Sequence, residues 1–138
     1  MTFCDPIHSY ARANPNALAI VDLESDRRWT YGTLNQAVDR LAAWIEGEFG
    51  PNSGVRLATL SKNCAEMVIL QHAGARAGTI FVPFNWRLAS AEIDALAADA
   101  EPEIVFHDPE FAPPSAARRA MAVADMLSLG QEGAKPSP

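Results

Sequence analysis

The chain has 138 residues, of which 49% are hydrophobic and 20% charged, a composition typical of one globular domain. Its formal net charge is −6 and its basic residues are scattered, which excludes the basic surface that nucleic-acid-binding proteins use to contact phosphates. Two cysteines, Cys4 and Cys64, are too few for a disulfide framework.

The first residues of the chain contain neither a basic start nor an apolar run, so we expect no secretory signal peptide. No stretch approaches the ~20 apolar residues that a membrane-spanning helix needs. The expected location is therefore the cytoplasm.

The first fifty residues predict a short helix, a hairpin and a long helix. Residues 6–14 are consistent with a surface helix. Short strands at 18–21 and 28–30 flank a polar turn and predict a hairpin. Thr30 is the predicted N-cap of the long helix. Apolar residues at steps of four and three predict its buried face, which consists of Leu34, Val38, Leu41 and Ile45.

From residue 55 onward the pattern alternates between strands and helices. Strands are predicted at 55–60, 79–82 and 104–106, with helices between them. The continuous apolar run at 79–82 predicts a strand that is covered on both faces. Parallel strands joined by helices form right-handed crossovers. Residues 55–107 therefore predict an α/β fold with a β-α-β-α-β parallel sheet unit.

Local signals predict the ends and faces of the two crossover helices. Asn63 is the predicted N-cap of the first helix, with Glu66 three residues on to bond back to it. Gly78 is suited to end that helix. The second crossover helix is predicted at 91–100. Its inward face is predicted to consist of Ile93, Leu96, Ala97 and Ala100.

Residues 108–138 are rich in proline and are predicted to form a poorly defined tail. A weak apolar stripe within 115–129 indicates one helix. Residues 131–138 have the composition of a disordered end.

Three stretches, in this order along the chain, carry a resemblance to a known family. Residues 29–34 read Trp-Thr-Tyr-Gly-Thr-Leu, and residues 63–67 read Asn-Cys-Ala-Glu-Met. Residues 75–88 read Ala-Arg-Ala-Gly-Thr-Ile-Phe-Val-Pro-Phe-Asn-Trp-Arg-Leu. Together they resemble the N-terminal region of the acyl-adenylate-forming ligases, which include the AMP-forming acyl-CoA synthetases.

Two residues depart from the family's pattern. Thr33 stands where the family often has glutamate, which predicts that the long helix lacks a capping box. Ser90 stands where the family often has proline in the first helical turn. Both differences concern the start of a helix, so the predicted fold is unchanged.

The resemblance implies that residues 1–107 are a partial N-terminal domain of such a ligase. These enzymes activate a carboxylic acid with ATP and magnesium to an acyl-adenylate, and many transfer the acyl group to coenzyme A. In the family, the phosphate loop, the ribose-binding aspartate and the catalytic lysine lie downstream. We therefore predict no catalytic residue in this chain, and we expect none of the three cofactors to bind strongly to it alone.

Arg87 is the predicted coenzyme A contact. The resemblance implies that the Asn-x-Arg-Leu loop lies near the coenzyme nucleotide, and a guanidinium binds phosphate through a rigid fork of donors. A salt bridge or a helix-capping role is the alternative. Lys62, beside a predicted helix start, is interpreted as a surface lysine. His107 and Asp108 lie at a strand's carboxyl end, but no nucleophile is visible beside them.

The dispersed histidines predict no metal site. Three functions stay open. The chain is a ligase fragment that is inactive alone and exposes apolar surface, which favours self-association. Alternatively it is a stand-alone, non-catalytic α/β binding module, with a polar exterior and a protected sheet edge. A third alternative is an unrelated flavodoxin-like or Rossmann-like protein, although the glycine fingerprint of dinucleotide binding is missing.

Overall fold

A computed structural model describes residues 4–131, so residues 132–138, which were predicted to be disordered, lie outside the described residues. Among the described residues, no helix combines the length and the apolar character needed to cross a bilayer. In chain order the elements are α1 (Pro6–Ala13), β1 (Leu18–Asp22), β2 (Arg27–Thr30), α2 (Tyr31–Phe49), β3 (Arg56–Leu60), α3 (Ala65–Ala77), β4 (Ile80–Pro83), α4 (Ser90–Ala100), β5 (Ile104–His107), β6 (Arg119–Ala122) and a 3-10 helix (Val123–Ser128).

The predicted hairpin is present. β1 and β2 pair antiparallel, with Asp22 opposite Arg27 at the turn. Asp26 has a φ of 54°, a left-handed conformation that aspartate tolerates in tight turns. The hairpin packs Ile20 and Trp29 against the main core. Its contacts fix the start of α2 on the body of the protein.

The capping of α2 corrects one prediction. The hydroxyl of Thr30 accepts a hydrogen bond from the amide of Thr33 at 3.1 Å. The hydroxyl of Thr33 accepts one from the amide of Thr30 at 3.0 Å. The prediction that Thr33 removes the capping box is therefore wrong, because its hydroxyl serves as the acceptor that glutamate usually provides. The predicted apolar face of α2 is confirmed as buried by Leu34, Val38, Leu41 and Ile45.

The α/β prediction is confirmed, and the sheet has one more strand than expected. Four parallel strands lie in the order β4-β3-β5-β6. The helices α1, α2 and α3 and the 3-10 helix cover one face, where the larger core lies. The helix α4 covers the other face through a smaller core. The two crossovers from β3 to β4 and from β4 to β5 therefore run on opposite faces.

The prediction that β4 is covered on both faces is confirmed in part. This strand pairs with β3 alone and forms an edge of the sheet among the described strands. Phe81 packs against the larger core and Val82 against the smaller one, so both faces of the strand are partly covered, while Ile80 at its start is 47% exposed. The central strands are β3 and β5, where Ala58 and Val105 are fully buried. An apolar run of four residues cannot distinguish an edge strand from a central one, because strand order depends on pairing far along the chain.

The start of α3 differs from the prediction. Cys64, rather than Asn63, occupies the N-cap, and its side chain makes no capping bond. The amide of Ala65 instead donates to Asp22 on the hairpin at 3.2 Å. Glu66 is directed to Arg27 and does not bond back to the helix start. The capping prediction is therefore wrong, because a side chain from outside the helix satisfies the free amide.

The other helix ends agree better with the sequence. Gly78 ends α3 with a φ of +77°, as expected for a C-terminal glycine. On α4, the predicted burial of Ile93 and Ala97 is confirmed. Leu96 is 46% exposed, so its predicted inward position is wrong. Because α4 is the single helix on this face of the sheet among the described residues, only a narrow stripe of its own side chains is buried.

The tail corrects a further prediction. The single helix expected over 115–129 is wrong, because this stretch contains β6 and the 3-10 helix. Met121 pairs with Phe106 in the register of β5 and β6. Val123 and Met126 are buried in the larger core. The described part of the tail is therefore folded, while the domain boundary after residue 107 stays a prediction.

Candidate functional site

The carboxyl ends of the parallel strands form the candidate site. The crossovers through α3 and α4 lie on opposite faces, so the chain changes direction between β3 and β5. Such a switch point leaves a crevice beyond the strand ends, where open α/β sheets bind their ligands. In this chain the crevice is bordered by the segments 61–63, 84–88 and 108–115.

Hydrogen bonds between loops hold the switch point together. The amide of Lys62 donates to the carboxylate of Asp108 at 3.0 Å. The Nδ1 atom of His107 lies 3.0 Å from the carbonyl oxygen of Asp108 and 3.1 Å from that of Phe111. Both His107 and Asp108 are thus engaged in shaping the loop after β5. The sequence analysis noted these two residues because they lie at a strand's carboxyl end. In the structure their side chains form hydrogen-bond contacts with the backbone of nearby loops.

An aromatic pair lies beside this switch point. The rings of Trp86 and Phe111 are stacked, with their centroids 5.7 Å apart and an interplanar angle of 27°. The guanidinium carbon of Arg87 lies 4.6 Å from the centroid of Trp86. The ammonium of Lys62 lies 5.0 Å from the same centroid. Two cations therefore flank one indole, an arrangement in which cation–π attraction holds each charge near the ring.

Arg87 lies in the turn after β4 with an exposed side chain. Its amide donates to the side chain of Asn85 at 3.0 Å, which fixes the turn after β4. The side chain of Arg87 is exposed and forms no salt bridge with any residue in the 4–131 range. Lys62, by contrast, pairs with Glu110 at 3.3 Å. The guanidinium of Arg87 is thus the freer of the two charges.

The aromatic pair lines part of a cleft of about 450 Å³, a volume within the range of small-molecule sites. Leu60 and Ile93 contribute apolar surface to it, and the charged side chains along it are the carboxylates Asp94 and Glu110. An uncharged group suits such a cleft, because these carboxylates repel a phosphate. Its remaining lining consists of Trp86, Leu88, Ser90, Phe111, Ala112, Pro113 and Ser115.

Cys64 lies outside this site, beside a separate apolar cavity of about 420 Å³ that Ile20 and Val21 also line. A thiol at a helix start can have a lowered pKa. Here burial raises the pKa of Cys64, so the thiol is protonated at neutral pH. Within residues 4–131, no group of three or more His, Cys, Asp or Glu side chains is placed to hold a metal ion.

Sequence reasoning identified Arg87 and missed its surroundings. The stacking of Trp86 on Phe111 and the approach of Lys62 depend on three loops that are distant in the chain. No local pattern predicts them. The one available signal was topological, because all three loops follow strands of one parallel sheet.

An open parallel sheet with a crevice at its switch point defines the class of α/β proteins that bind small ligands beyond their strand ends. A family model described as AMP-binding enzyme matches residues 7–136. The chain belongs to this family, and the resemblance inferred from its sequence is confirmed.

Curated relatives are similar over most of this chain. The long-chain-fatty-acid–CoA ligase FadD13 of Mycobacterium tuberculosis is 32% identical over 112 residues, which cover 81% of this chain and 22% of the relative. The indoleacetate–CoA ligase of Aromatoleum aromaticum is 36% identical over 115 residues, covering 80% of this chain and 21% of the relative. The chain thus spans about a fifth of the length of these relatives.

The fold also matches solved structures. A fatty acyl CoA synthetase of Mycobacterium tuberculosis superposes with a TM-score of 0.76 and 25% sequence identity. The match covers 95% of this chain and 29% of that chain. The fold prediction, part of the N-terminal domain of an acyl-CoA synthetase-like protein, is confirmed.

Proposed function

We propose that this chain is the N-terminal part of an ATP-dependent acid–thiol ligase. Such an enzyme activates a small carboxylic acid as its acyl-adenylate and transfers the acyl group to coenzyme A. The observation that carries the proposal is the family match over residues 7–136, supported by relatives whose names describe CoA ligases. In this proposal the chain supplies a scaffold and one wall of the coenzyme site.

The chain is proposed to be inactive alone. Adenylate formation needs cations and amide donors directed at the phosphates of ATP. The chain spans about a fifth of its relatives, and the family resemblance implies that the phosphate loop and the catalytic lysine lie downstream of it. ATP and magnesium are therefore assigned to other parts of the ligase.

Coenzyme A is the cofactor that the described residues fit. Arg87 presents an exposed guanidinium beyond the strand ends, and no carboxylate of residues 4–131 pairs with it. Its position against Trp86 restricts its motion, which reduces the entropy lost when a phosphate binds. When bound, coenzyme A supplies the thiol that receives the acyl group. Arg87 binds and orients one of its phosphates.

Exposed apolar side chains favour a ligase fragment over a stand-alone module. A module was expected to have a polar exterior and a protected sheet edge. Leu23 is 87% exposed, and Ile80 on the edge strand β4 is 47% exposed. Further large apolar side chains on the surface are Tyr10, Leu18, Val21 and Leu96. Surface of this kind is covered by another part of a protein or promotes self-association.

The substitution Arg87→Ala in the native protein that carries this sequence tests the coenzyme role. We expect a higher KM for coenzyme A, with the rate of ATP–pyrophosphate exchange unchanged, because adenylate formation precedes coenzyme binding. Arg56→Ala is the matched control, since Arg56 is exposed at the opposite end of β3. An unchanged KM for coenzyme A in the Arg87 variant would remove the assignment.

The size of the native protein distinguishes the ligase-fragment proposal from the alternative of a stand-alone binding module. An antibody raised against residues 1–107 is used to detect it on a denaturing gel. A species several times larger than 14.9 kDa supports the ligase proposal. A band near 14.9 kDa, or ATP–pyrophosphate exchange by the 138-residue chain alone, contradicts it.

A further inference from the structure

We propose that His107 is a positioning residue of the coenzyme site. Its imidazole, as the Nδ1–H tautomer, fixes the turn after β5, and through the rings of Phe111 and Trp86 it holds the guanidinium of Arg87 in place. This inference rests on the proposed coenzyme contact at Arg87 and adds a residue that acts on that contact without touching the coenzyme.

The tautomer of the His107 ring follows from its two neighbours. Nδ1 lies 3.0 Å from the carbonyl oxygen of Asp108 and 3.1 Å from that of Phe111. A carbonyl oxygen accepts hydrogen bonds and cannot donate them, so Nδ1 must carry a proton. One N–H is therefore shared between two carbonyl groups, and Nε2 is the acceptor nitrogen of the neutral ring.

The two carbonyl groups belong to one tight turn. The amide of Phe111 donates to the carbonyl oxygen of Asp108 at 3.1 Å, which closes residues 108–111 into a turn. The imidazole of His107 donates to that same oxygen and to the carbonyl oxygen of Phe111. Both backbone polar groups of Phe111 are thus occupied, so the position of its backbone is fixed.

The turn is anchored to the sheet on its other side. The amide of Asp108 donates to the carbonyl oxygen of Leu60 at 3.1 Å, and its carboxylate accepts the amide of Lys62 at 3.0 Å. His107 is the last residue of β5 and pairs with Leu60, the last residue of β3. The imidazole therefore connects the end of a central strand to the turn that follows it.

Stacking transmits the position of the turn to the loop after β4. The centroid of the Phe111 ring lies 5.7 Å from that of Trp86, and the guanidinium carbon of Arg87 lies 4.6 Å from the centroid of Trp86. Arg87 is exposed, and an arginine side chain has many rotamers unless a neighbour restricts it. A displaced Phe111 would free Trp86 and, with it, the side chain that is proposed to bind the coenzyme.

Variants of His107 in the native protein that carries this sequence test this role. His107→Phe keeps a ring but removes the donor, so we expect the KM for coenzyme A to rise roughly two- to tenfold, the range that one lost hydrogen bond can account for. ATP–pyrophosphate exchange should be unchanged, which also shows that the variant is folded. His107→Asn places an amide donor near the position of Nδ1 and should restore most of the affinity, whereas the longer side chain in His107→Gln should not.

A double-mutant cycle shows whether His107 acts through Arg87. In the Arg87→Ala background, His107→Phe should raise the KM no further, because the side chain that it positions is gone. Ser128→Ala is the matched control. It removes an exposed local bond, 2.7 Å from the hydroxyl of Ser128 to the carbonyl oxygen of Asp125, outside the site, and should leave the KM for coenzyme A unchanged.

NMR of the ¹⁵N-labelled 138-residue chain tests the geometry without coenzyme A. Proton–nitrogen couplings within the ring should identify Nδ1 as the protonated nitrogen of His107. The heteronuclear NOE of the Arg87 Nε–H group should fall in His107→Phe, because the guanidinium becomes more mobile. It should stay near the parent value in His107→Asn.

The outcomes separate this inference from the function it rests on. A raised KM in Arg87→Ala with an unchanged KM in His107→Phe overturns the inference and leaves the coenzyme contact in place. Additive effects of the two substitutions, or an Nε2–H tautomer of His107, also overturn the inference alone. An unchanged KM in Arg87→Ala overturns the coenzyme contact and the role of His107 together.

Discussion

Arg27 on β2 and Glu66 on α3 form an ion pair between residues 39 positions apart in the chain. The Nη2 atom of Arg27 lies 3.1 Å from Oε2 of Glu66 and 3.0 Å from Oδ2 of Asp22. The side chains of Glu66 and Asp22 are 8% and 6% exposed, so one guanidinium pairs with two nearly buried carboxylates. Burial alone would lower the pKa of Arg27, but the two carboxylates raise it on balance.

The substitution Arg27→Ala is expected to lower the free energy of unfolding by about 2 kcal/mol, because it leaves two carboxylates without their cation in a buried position. The partial exposure of Arg27 keeps the loss below that of a fully buried pair. Urea denaturation measures the change. Arg28→Ala is the control, since Arg28 is exposed on the same strand and should change stability by less than about 0.5 kcal/mol. Equal losses in the two variants would show that the ion pair contributes nothing.

We expect Asp22 to make the free energy of unfolding depend on pH. Burial alone would raise the pKa of Asp22, but hydrogen bonds from the amides of Ala65 and Ser25 and from Arg27 lower it below its usual value of 3.8. A lowered pKa in the folded state means that the ionised form stabilises the fold. This contribution is fully present above the unfolded pKa and is lost as the pH falls through the lower folded value.

We therefore expect Asp22→Asn to be less stable than the parent chain at pH 7 and to lose less stability between pH 4 and pH 2. Urea denaturation at several pH values measures both effects. Asp26→Asn provides the control, because Asp26 is exposed in the same turn and asparagine tolerates its left-handed backbone. If Asp22→Asn retained the full acid dependence of the parent, the role of Asp22 would be refuted.

Thr33 provides a test of the capping box. Thr33→Ala removes the acceptor for the amide of Thr30 and should cost about 1 kcal/mol. Thr33→Glu should keep most of the stability, since a carboxylate three residues after the N-cap accepts the same bond and favours the helix dipole. Thermal and urea unfolding compare the two variants. A loss in Thr33→Glu as large as that in Thr33→Ala would mean that the hydroxyl contributes something other than capping.

The parts of the fold that were predicted correctly depend on local patterns. The steps of four and three from Leu34 to Ile45 report the buried face of α2, because helix geometry alone places these residues on one side. The run 104–106 became the central strand β5, and Gly78 ended α3. Arg87 was identified through a family resemblance, and its coenzyme role stays a prediction.

Apart from the capping box at Thr33 and the inward position of Leu96, which are local, the incorrect predictions concern contacts between distant parts of the chain. The start of α3 is capped by Asp22 of the hairpin, so Asn63 and Glu66 gave a misleading local signal. The edge position of β4 and the pairing of Met121 with Phe106 depend on strand order. The approach of Lys62 to Trp86 also has no local signature. These features are decided by competing tertiary contacts, which outweigh the preferences of short segments.

Met126 tests whether the tail is an essential part of this domain. It is fully buried in the core that α2 and α3 share, and the 3-10 helix places it there directly after β6. Met126→Ala should lower the free energy of unfolding by about 2–4 kcal/mol, because it removes packed atoms and leaves a cavity. Asp125→Ala is the neighbouring control, since Asp125 is exposed and its substitution should have little effect on unfolding in urea. If the two variants were equally stable, the side chain of Met126 would contribute nothing to the core, contrary to its burial there.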